Sequence, residues 1–149
     1  MIQKVMLVLL VLFRIMKTKI YLAGGMNQSN WQGKVIDSVK DKDYIFFNPR
    51  LHKLDTVKEY TLWDLHYVSK CDLLFAYMQK DNPSGYGLTL EIGYARGLNL
   101  PVILVDERSR YDKDFSNSFK FIRESSSIVF DNFHDGLELL KNFKNGVII

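Results

Sequence analysis

Apolar and polar positions follow two patterns along this chain: short continuous apolar runs, and longer segments with helical spacing. Five runs predict buried strands, at residues 19–25 (KIYLAGG), 44–50 (YIFFNPR), 72–78 (DLLFAYM), 101–107 (PVILVDE) and 126–130 (SSIVF). Helical spacing recurs at residues 31–40, 56–70, 88–98 and 134–143, and weakly at 109–124. A capping box of Thr56 and Glu59 begins the second helix.

Continuous apolar strands that alternate with helices predict a parallel sheet covered on both faces. Right-handed crossovers then favour a doubly wound, flavodoxin-like α/β fold with five strands. Ligands of such folds bind beyond the carboxyl ends of the strands. We therefore expect a site formed by residues 23–25, 48–50, 78–87 and 106–110.

Length and composition indicate one ordinary globular domain. The 149 residues are 47% hydrophobic and 25% charged, with a net charge of +3 and no basic stripe, which argues against nucleic-acid binding. The single cysteine, Cys71, excludes an internal disulfide and fits a core position in a reduced, cytoplasmic protein. His52, His66 and His134 lack metal-ligand spacing, so we expect no metal site and assign these residues no chemistry.

The N-terminus carries an apolar run at residues 5–13 between Lys4 and Arg14. A bilayer span needs about 20 apolar residues, so this run predicts no stable membrane span. No small-residue cleavage site follows it. We expect residues 1–15 to be an upstream extension, translation to start at Met16 and the domain to cover residues 16–149; the intact mass of protein from the native locus tests this.

Two carboxylates fall on apolar helix faces. At 100° per residue, Glu91 lies between Ala95 and Leu98. Asp64 lies near the middle of an arc of seven residues, Val57, Tyr60, Trp63, Leu65, Tyr67, Val68 and Cys71. Because both helices follow strands, both carboxylates lie in early turns at the carboxyl edge of the sheet.

Two carboxyl groups in an apolar crevice tend to have their pKa values pushed apart. We expect Glu91, near a helix N-terminus, to stay ionised, and Asp64, among aromatic rings, to hold or share a proton. A carboxylate nucleophile beside a second acid suits chemistry at a sugar anomeric carbon. The alternative is that both side chains accept backbone hydrogen bonds and hold loops.

Other residues at the same edge have a ligand interpretation and a structural one. The Gly24–Gly25 pair permits either a sharp turn or the close approach of a ligand. Trp31 stacks on a base or anchors its helix. Asn48 and Arg50 end the second strand, where Arg50 binds a 5′-hydroxyl or phosphate or makes a surface pair. Asp72 is expected to be a structural residue between helix and strand.

Three segments together, KIYLAGG, DLHYVSKCD and GLTLEIGYA, resemble the nucleoside 2-deoxyribosyltransferase superfamily over about residues 17–106. The resemblance implies a flavodoxin-like fold and an enzyme that cleaves the N-glycosidic bond of 2′-deoxynucleosides and transfers deoxyribose to a free nucleobase. It implies no metal or organic cofactor. It also implies a homo-oligomer whose sites are completed by a neighbouring subunit.

The resemblance also implies roles for three residues. Glu91 matches the nucleophile, Asp64 matches an aspartate that acts on the substrate, and Tyr21 matches the tyrosine that positions the glutamate. The implied mechanism is a double displacement through a glycosyl ester on Glu91, with overall retention.

The chain departs from that family where the family often has an aspartate, six residues before the nucleophile. Gly85 occupies this position, beside Ser84 and two residues before Gly87. A serine here is similar to the related 5′-monophosphate glycosidases, which hold phosphate with hydroxyls and backbone N–H groups. A nucleotide N-glycosidase therefore stays an alternative, as does a non-catalytic nucleotide-binding module. Asn117 corresponds loosely to the family's subunit-crossing segment.

Overall fold

The computed structural model describes residues 17–142, and the predicted extension and start at Met16 lie outside them. The strands are β1 (Thr18–Gly24), β2 (Tyr44–Phe47), β3 (Leu73–Met78), β4 (Val102–Asp106) and β5 (Ile128–Phe130). The helices are α1 (Trp31–Ser38), α2 (Val57–Val68), α3 (Tyr86–Gly97), α4 (Lys113–Ser125) and α5 (Phe133–Asn142). Short 3-10 helices span Pro49–Leu51 and Arg108–Arg110.

The five strands form one parallel sheet in the order β2-β1-β3-β4-β5, which confirms the predicted flavodoxin-like fold. Alternate strand residues face opposite layers. Tyr21 and Ala23 pack towards α2, α3 and α4, whereas Ile20 and Leu22 pack towards α1 and α5. Tyr21 therefore faces the layer that carries both Asp64 and Glu91.

Element boundaries differ from the prediction where local side chains intervene. β2 ends at Phe47 because the Asn48 side chain accepts a hydrogen bond from the Arg50 N–H and begins a 3-10 helix with Pro49 in its first turn. The weak pattern at 109–124 is two elements, the 3-10 helix Arg108–Arg110 and helix α4. Asp112 separates them by accepting a hydrogen bond from the Phe115 N–H.

Several predicted structural roles are confirmed. Thr56 and Glu59 form the capping box of α2. Asp72 accepts a hydrogen bond from the Lys19 N–H at 2.8 Å and joins α2 to the sheet. Cys71 is buried and unpaired. None of the helices in residues 17–142 is long and apolar enough to cross a membrane.

Two residues of the predicted apolar arcs are exposed instead. Val57 is 66% exposed because it is the first residue of α2, where the helix extends beyond the layer it packs on. Leu98 is 42% exposed because α3 ends at Gly97 and the helical phase no longer applies.

Candidate active site

A hydrogen bond joins β1 to α3 at the centre of the site. The Tyr21 hydroxyl donates to Oε1 of Glu91 at 2.7 Å, and both side chains are buried. Burial raises the pKa of Glu91 to about 8; the Tyr21 hydrogen bond opposes this rise and the Asp64 charge adds to it. Burial, with the two neighbouring acids, also holds the pKa of Tyr21 far above its ordinary range. This hydroxyl is therefore a donor that keeps its proton.

Asp64, on α2, completes the cluster. Burial raises the pKa of its carboxyl, while the nearby Tyr21 hydroxyl and His52 lower it. Tyr21 has one proton and donates it to Glu91, so Oδ1 of Asp64 is buried without a hydrogen-bond partner in the described part of the chain. A buried oxygen without a partner costs free energy, which suggests that a substrate group or a proton satisfies it.

The ionisation order expected for the pair is wrong for the ligand-free protein. Glu91 was expected to stay ionised because of the helix N-terminus, yet burial raises its pKa to about 8. Asp64 is only half-buried, and its pKa rise is smaller. Loss of hydration at a fully buried carboxylate outweighs the helix dipole, which contributes about 1 kcal/mol. Near neutral pH the proton therefore resides on Glu91.

A pocket of about 270 Å³ lies at the carboxyl edge of the sheet, between the loop after β1 and the start of α3. Gly85, at the N-cap, has φ 77° and provides no side-chain acceptor, so the first-turn N–H groups of α3 are available to a polar ligand. The twelve residues that line this pocket are Gly24, Gly25, Met26, Asn27, Gln28, Asn82, Pro83, Ser84, Gly85, Tyr86, Gly87 and Leu88.

The glycines of this pocket differ in what an added Cβ atom would contact. A Cβ at Gly24 would lie 2.6 Å from the Tyr77 carbonyl oxygen, at φ 152°. A Cβ at Gly85 would overlap Cε of Met78, and one at Gly25 would overlap the flexible Gln28 side chain. Nothing lies within 4 Å of a Cβ at Gly87. The Tyr77 carbonyl thus requires glycine at position 24, and the positive φ favours glycine at position 85, whereas Gly87 leaves open space beside the pocket.

Trp31 does not have the base-stacking role that was considered for it. Its ring is 1% exposed, and Nε1 donates a hydrogen bond to the Gly25 carbonyl at 2.9 Å. The ring packs edge-on against Tyr77, with centroids 5.5 Å apart. Trp31 therefore anchors α1 and the loop after β1, and presents no face to a ligand.

Asn48 and Arg50 also serve the scaffold. Asn48 is buried and caps the 3-10 helix. The Arg50 guanidinium donates to the carbonyl oxygens of Met26 and Ser29, and its Nε donates to Gln32 at 3.3 Å. Arg50 thus fixes the pocket loop and does not make the surface pair considered for it. Its contact with a 5′-hydroxyl or phosphate stays a prediction.

A second pocket, of about 700 Å³, lies between α3 and α4 and shares Pro83, Ser84 and Tyr86 with the first. Asn117 is exposed on α4 and lines neither pocket. Its predicted role across a subunit boundary stays a prediction.

Sequence reasoning singled out neither Asn82 nor Gln28, and it assigned His52 no chemistry. Asn82 is 6% exposed, and its Oδ1 accepts a hydrogen bond from the Ser84 N–H at 3.2 Å, which shapes the pocket loop. Oε1 of Gln28 is buried without a partner among the described residues. The Asn-Pro-Ser-Gly turn signalled Asn82; for Gln28 and His52 no local pattern existed. Within residues 17–142, no group of three or more His, Cys, Asp or Glu residues forms a metal site.

The fold and the buried tyrosine–glutamate pair define an α/β protein with a carboxylate-centred site. The chain belongs to the nucleoside 2-deoxyribosyltransferase like family, whose model matches residues 17–109. A comparison with curated proteins gave no match.

Solved structures share the fold at low sequence identity. A conserved protein from Enterococcus faecalis V583 has a TM-score of 0.65 at 22% identity, over 85% of this chain and 98% of that one. The CMP N-glycosidase BcmB from Clostridium botulinum has a TM-score of 0.61 at 18% identity, over 85% of this chain and 100% of that one. A 2-desoxiribosyltransferase from Leishmania mexicana has a TM-score of 0.60 at 16% identity, over 85% of this chain and 99% of that one. Structures of this fold thus include both a glycosidase and a transferase.

Proposed function

We propose that this protein is a nucleoside 2-deoxyribosyltransferase with Glu91 as its nucleophile. The observation that carries the proposal is the buried Glu91 carboxyl, which accepts a hydrogen bond from the Tyr21 hydroxyl at 2.7 Å and lies beside Asp64. A carboxylate oxygen of Glu91 bonds to C1′ as the C1′–N bond breaks and its electron pair leaves with the base. An incoming base then bonds to C1′ and displaces the Glu91 carboxylate while its N–H proton passes to Asp64, so the configuration is retained.

The proton moves in a matching sequence. Glu91 holds a proton near neutral pH and must release it before attack. Asp64, with its unpartnered Oδ1, is the acceptor that we assign. Protonated Asp64 then donates to the departing base, directly or through water. Tyr21 keeps its own proton and holds Oε1 of Glu91, which leaves the other oxygen for C1′.

A specific observation favours a second candidate, an N-glycosidase acting on 5′-monophosphates. The smaller pocket has no acidic lining residue, and Ser84 and the N-terminus of α3 both border it. Backbone N–H groups at a helix N-terminus attract phosphate. This candidate needs water as the second nucleophile instead of a base.

Chromatography distinguishes the candidates. Purified protein is incubated with a 2′-deoxynucleoside or its 5′-monophosphate, with and without a different free base. A new deoxynucleoside that forms only when base is added supports the transferase. Base release that requires the 5′-phosphate and ignores added base supports the glycosidase.

Two variants assign the nucleophile in the same assay. Glu91→Gln should lose at least about 10³-fold in turnover, because an amide cannot form the ester. Glu138→Gln, which changes a partly exposed carboxylate of α5 that pairs with Lys141, is the matched control and should retain activity. Ligand-induced thermal stabilisation without turnover, unchanged in Glu91→Ala, would instead support a nucleotide-binding module.

We propose further that the protein is a homo-oligomer whose site is completed by Asn117 of a neighbouring subunit. The exposure of Asn117 on α4, next in sequence to Ser118 of the larger pocket's lining, supports this. Sedimentation gives the oligomeric state. Mixing refolded Glu91→Gln and Asn117→Ala subunits should restore some activity if the site is shared; no restoration in a confirmed mixed oligomer contradicts it.

A further inference from the structure

His52 lies beside the site on the loop between the 3-10 helix Pro49–Leu51 and α2. Its ring is near-parallel to Tyr60, with centroids 6.3 Å apart, and meets Trp63 edge-on at 5.1 Å. Trp63 in turn lies 6.4 Å from the Tyr21 ring. His52 is therefore packed into the aromatic wall of the cluster, although its sequence surroundings gave it no role.

The hydrogen bond of His52 fixes its tautomer. Nδ1 accepts a hydrogen bond from the Leu54 N–H at 2.9 Å, and Lys53, at φ 54°, turns the chain to make this possible. An accepting Nδ1 carries no proton, so the neutral ring has its proton on Nε2. His52 thus holds the loop with one nitrogen and keeps one donor on the other.

Asp64 is the acid that this ring affects. Tyr60, Trp63 and Asp64 are three and four residues apart on α2 and share the face that His52 packs against. His52 favours the ionised form of Asp64, lowering the pKa that burial raises. Oδ1 of Asp64 has no hydrogen-bond partner within the described residues.

We infer that His52 is a positioning residue for the reaction, which through its contacts with Tyr60 and Trp63 holds Asp64 in place to take the proton from Glu91. The inference rests on the proposed function for the role of Asp64. No bond to substrate is assigned to His52; it acts through Asp64 and through the loop that leads into α2.

Protonation of His52 has two opposed effects. A proton on Nδ1 removes the acceptor for Leu54, which loosens the loop, while the added charge favours ionised Asp64. From α2 the titratable groups that face His52 are Tyr60 and Asp64. Its own loop adds Lys53 and Asp55.

Matched variants separate these effects. In His52→Asn, Oδ1 of the side-chain amide takes the place of Nδ1 and accepts the hydrogen bond from the Leu54 N–H. The loop conformation is therefore retained, while the Nε2 donor is lost. His52→Gln places an amide nitrogen near Nε2. His66→Asn, which changes an exposed residue of α2, is the control.

The expected result is a loss in kcat with little change in KM. His52→Asn should melt within ~4 °C of wild type. It should lose about tenfold in kcat, less than the roughly 10²- to 10⁴-fold that a proton-transfer group itself contributes, because His52 acts through Asp64. The pH limb governed by Asp64 should move to higher pH in both His52→Asn and His52→Gln, because neither amide can carry the charge that favours ionised Asp64. Wild-type kcat and an unshifted profile in His52→Asn would overturn the inference.

Carboxyl NMR provides a test that needs no turnover. The ¹³C titration of Asp64 should give a higher pKa in His52→Asn than in wild type and no change in His66→Asn. An unchanged Asp64 pKa overturns the inference even if the protein is an active transferase. Absent turnover with a shifted Asp64 pKa instead overturns the proposed reaction and leaves the His52–Asp64 coupling standing.

Discussion

Tyr21 and Glu91 are 70 residues apart in sequence, yet the tyrosine hydroxyl lies 2.7 Å from Oε1 of the glutamate. The bond joins the first strand of the sheet to the helix that follows the third. Glu91 is 8% exposed, so water does not provide a substitute partner. Both the orientation and the ionisation of the proposed nucleophile therefore depend on one phenol.

Tyr21→Phe tests that dependence. Loss of the hydroxyl removes a group that lowers the pKa of Glu91, so that pKa should rise above about 8. We expect kcat to fall about 10²- to 10³-fold, in the range for loss of a positioned hydrogen-bond donor. The acid limb of the kcat/KM profile should move to higher pH. An unmoved limb would mean that the phenol does not control Glu91.

Glu91→Gln should stabilise the protein in a pH-dependent way. Below about pH 4.5 the folded and unfolded states both hold the Glu91 proton. Between 4.5 and about 8 the unfolded state releases it while the folded state retains it, so stability falls as pH rises. At about 1.4 kcal/mol per pKa unit, the variant should exceed wild type by about 4 kcal/mol at pH 8.

Urea unfolding of both proteins at pH 5 and pH 8 measures this difference. Glu138→Gln, which alters a partly exposed carboxylate, should change little at either pH. A stability gain of equal size at both pH values would contradict a raised pKa for Glu91.

Alanine at Gly85 and at Gly87 should have opposite effects on stability. Gly85→Ala places a Cβ against Met78 at φ 77° and should cost about 2–4 kcal/mol. Gly87→Ala enters open space in the first turn of α3 and should stabilise by about 0.5–1 kcal/mol. Its methyl group borders the pocket, so KM should rise. Urea midpoints and kinetics measure both; equal midpoints would contradict the assignment.

Trp31→Phe distinguishes a core residue from a base platform. Loss of the bond to the Gly25 carbonyl and of buried ring area should cost about 2–3 kcal/mol. KM for the nucleoside should change less than about threefold. A base platform predicts the reverse, since base stacking contributes about 1–3 kcal/mol to binding. Normal stability with a KM raised tenfold would show that the ring contacts substrate.

Local patterns along the chain were sufficient for the layered fold and for part of the site. Continuous apolar strands predict a parallel sheet because both of its faces are covered. The capping box at Thr56 and Glu59 and the inward phase of Glu91 depend only on residues within one helix. Their geometry is set by helical periodicity, which the sequence displays directly.

The structure was needed wherever a role depends on neighbours distant in sequence. The sequence shows ligand-compatible side chains at Trp31 and Arg50, but only the structure shows that both donate hydrogen bonds to the loop after β1. His52 gained a role only when the fold placed it against α2.

The proton on Glu91 shows the division most clearly. The sequence by itself determined that a carboxylate faces the core, because helical phase is local. Only the tertiary structure decided which carboxylate keeps its proton, because burial by other elements sets the desolvation that raises the pKa of Glu91 to about 8. That cost exceeds the helix-dipole effect from which the sequence predicted an ionised Glu91.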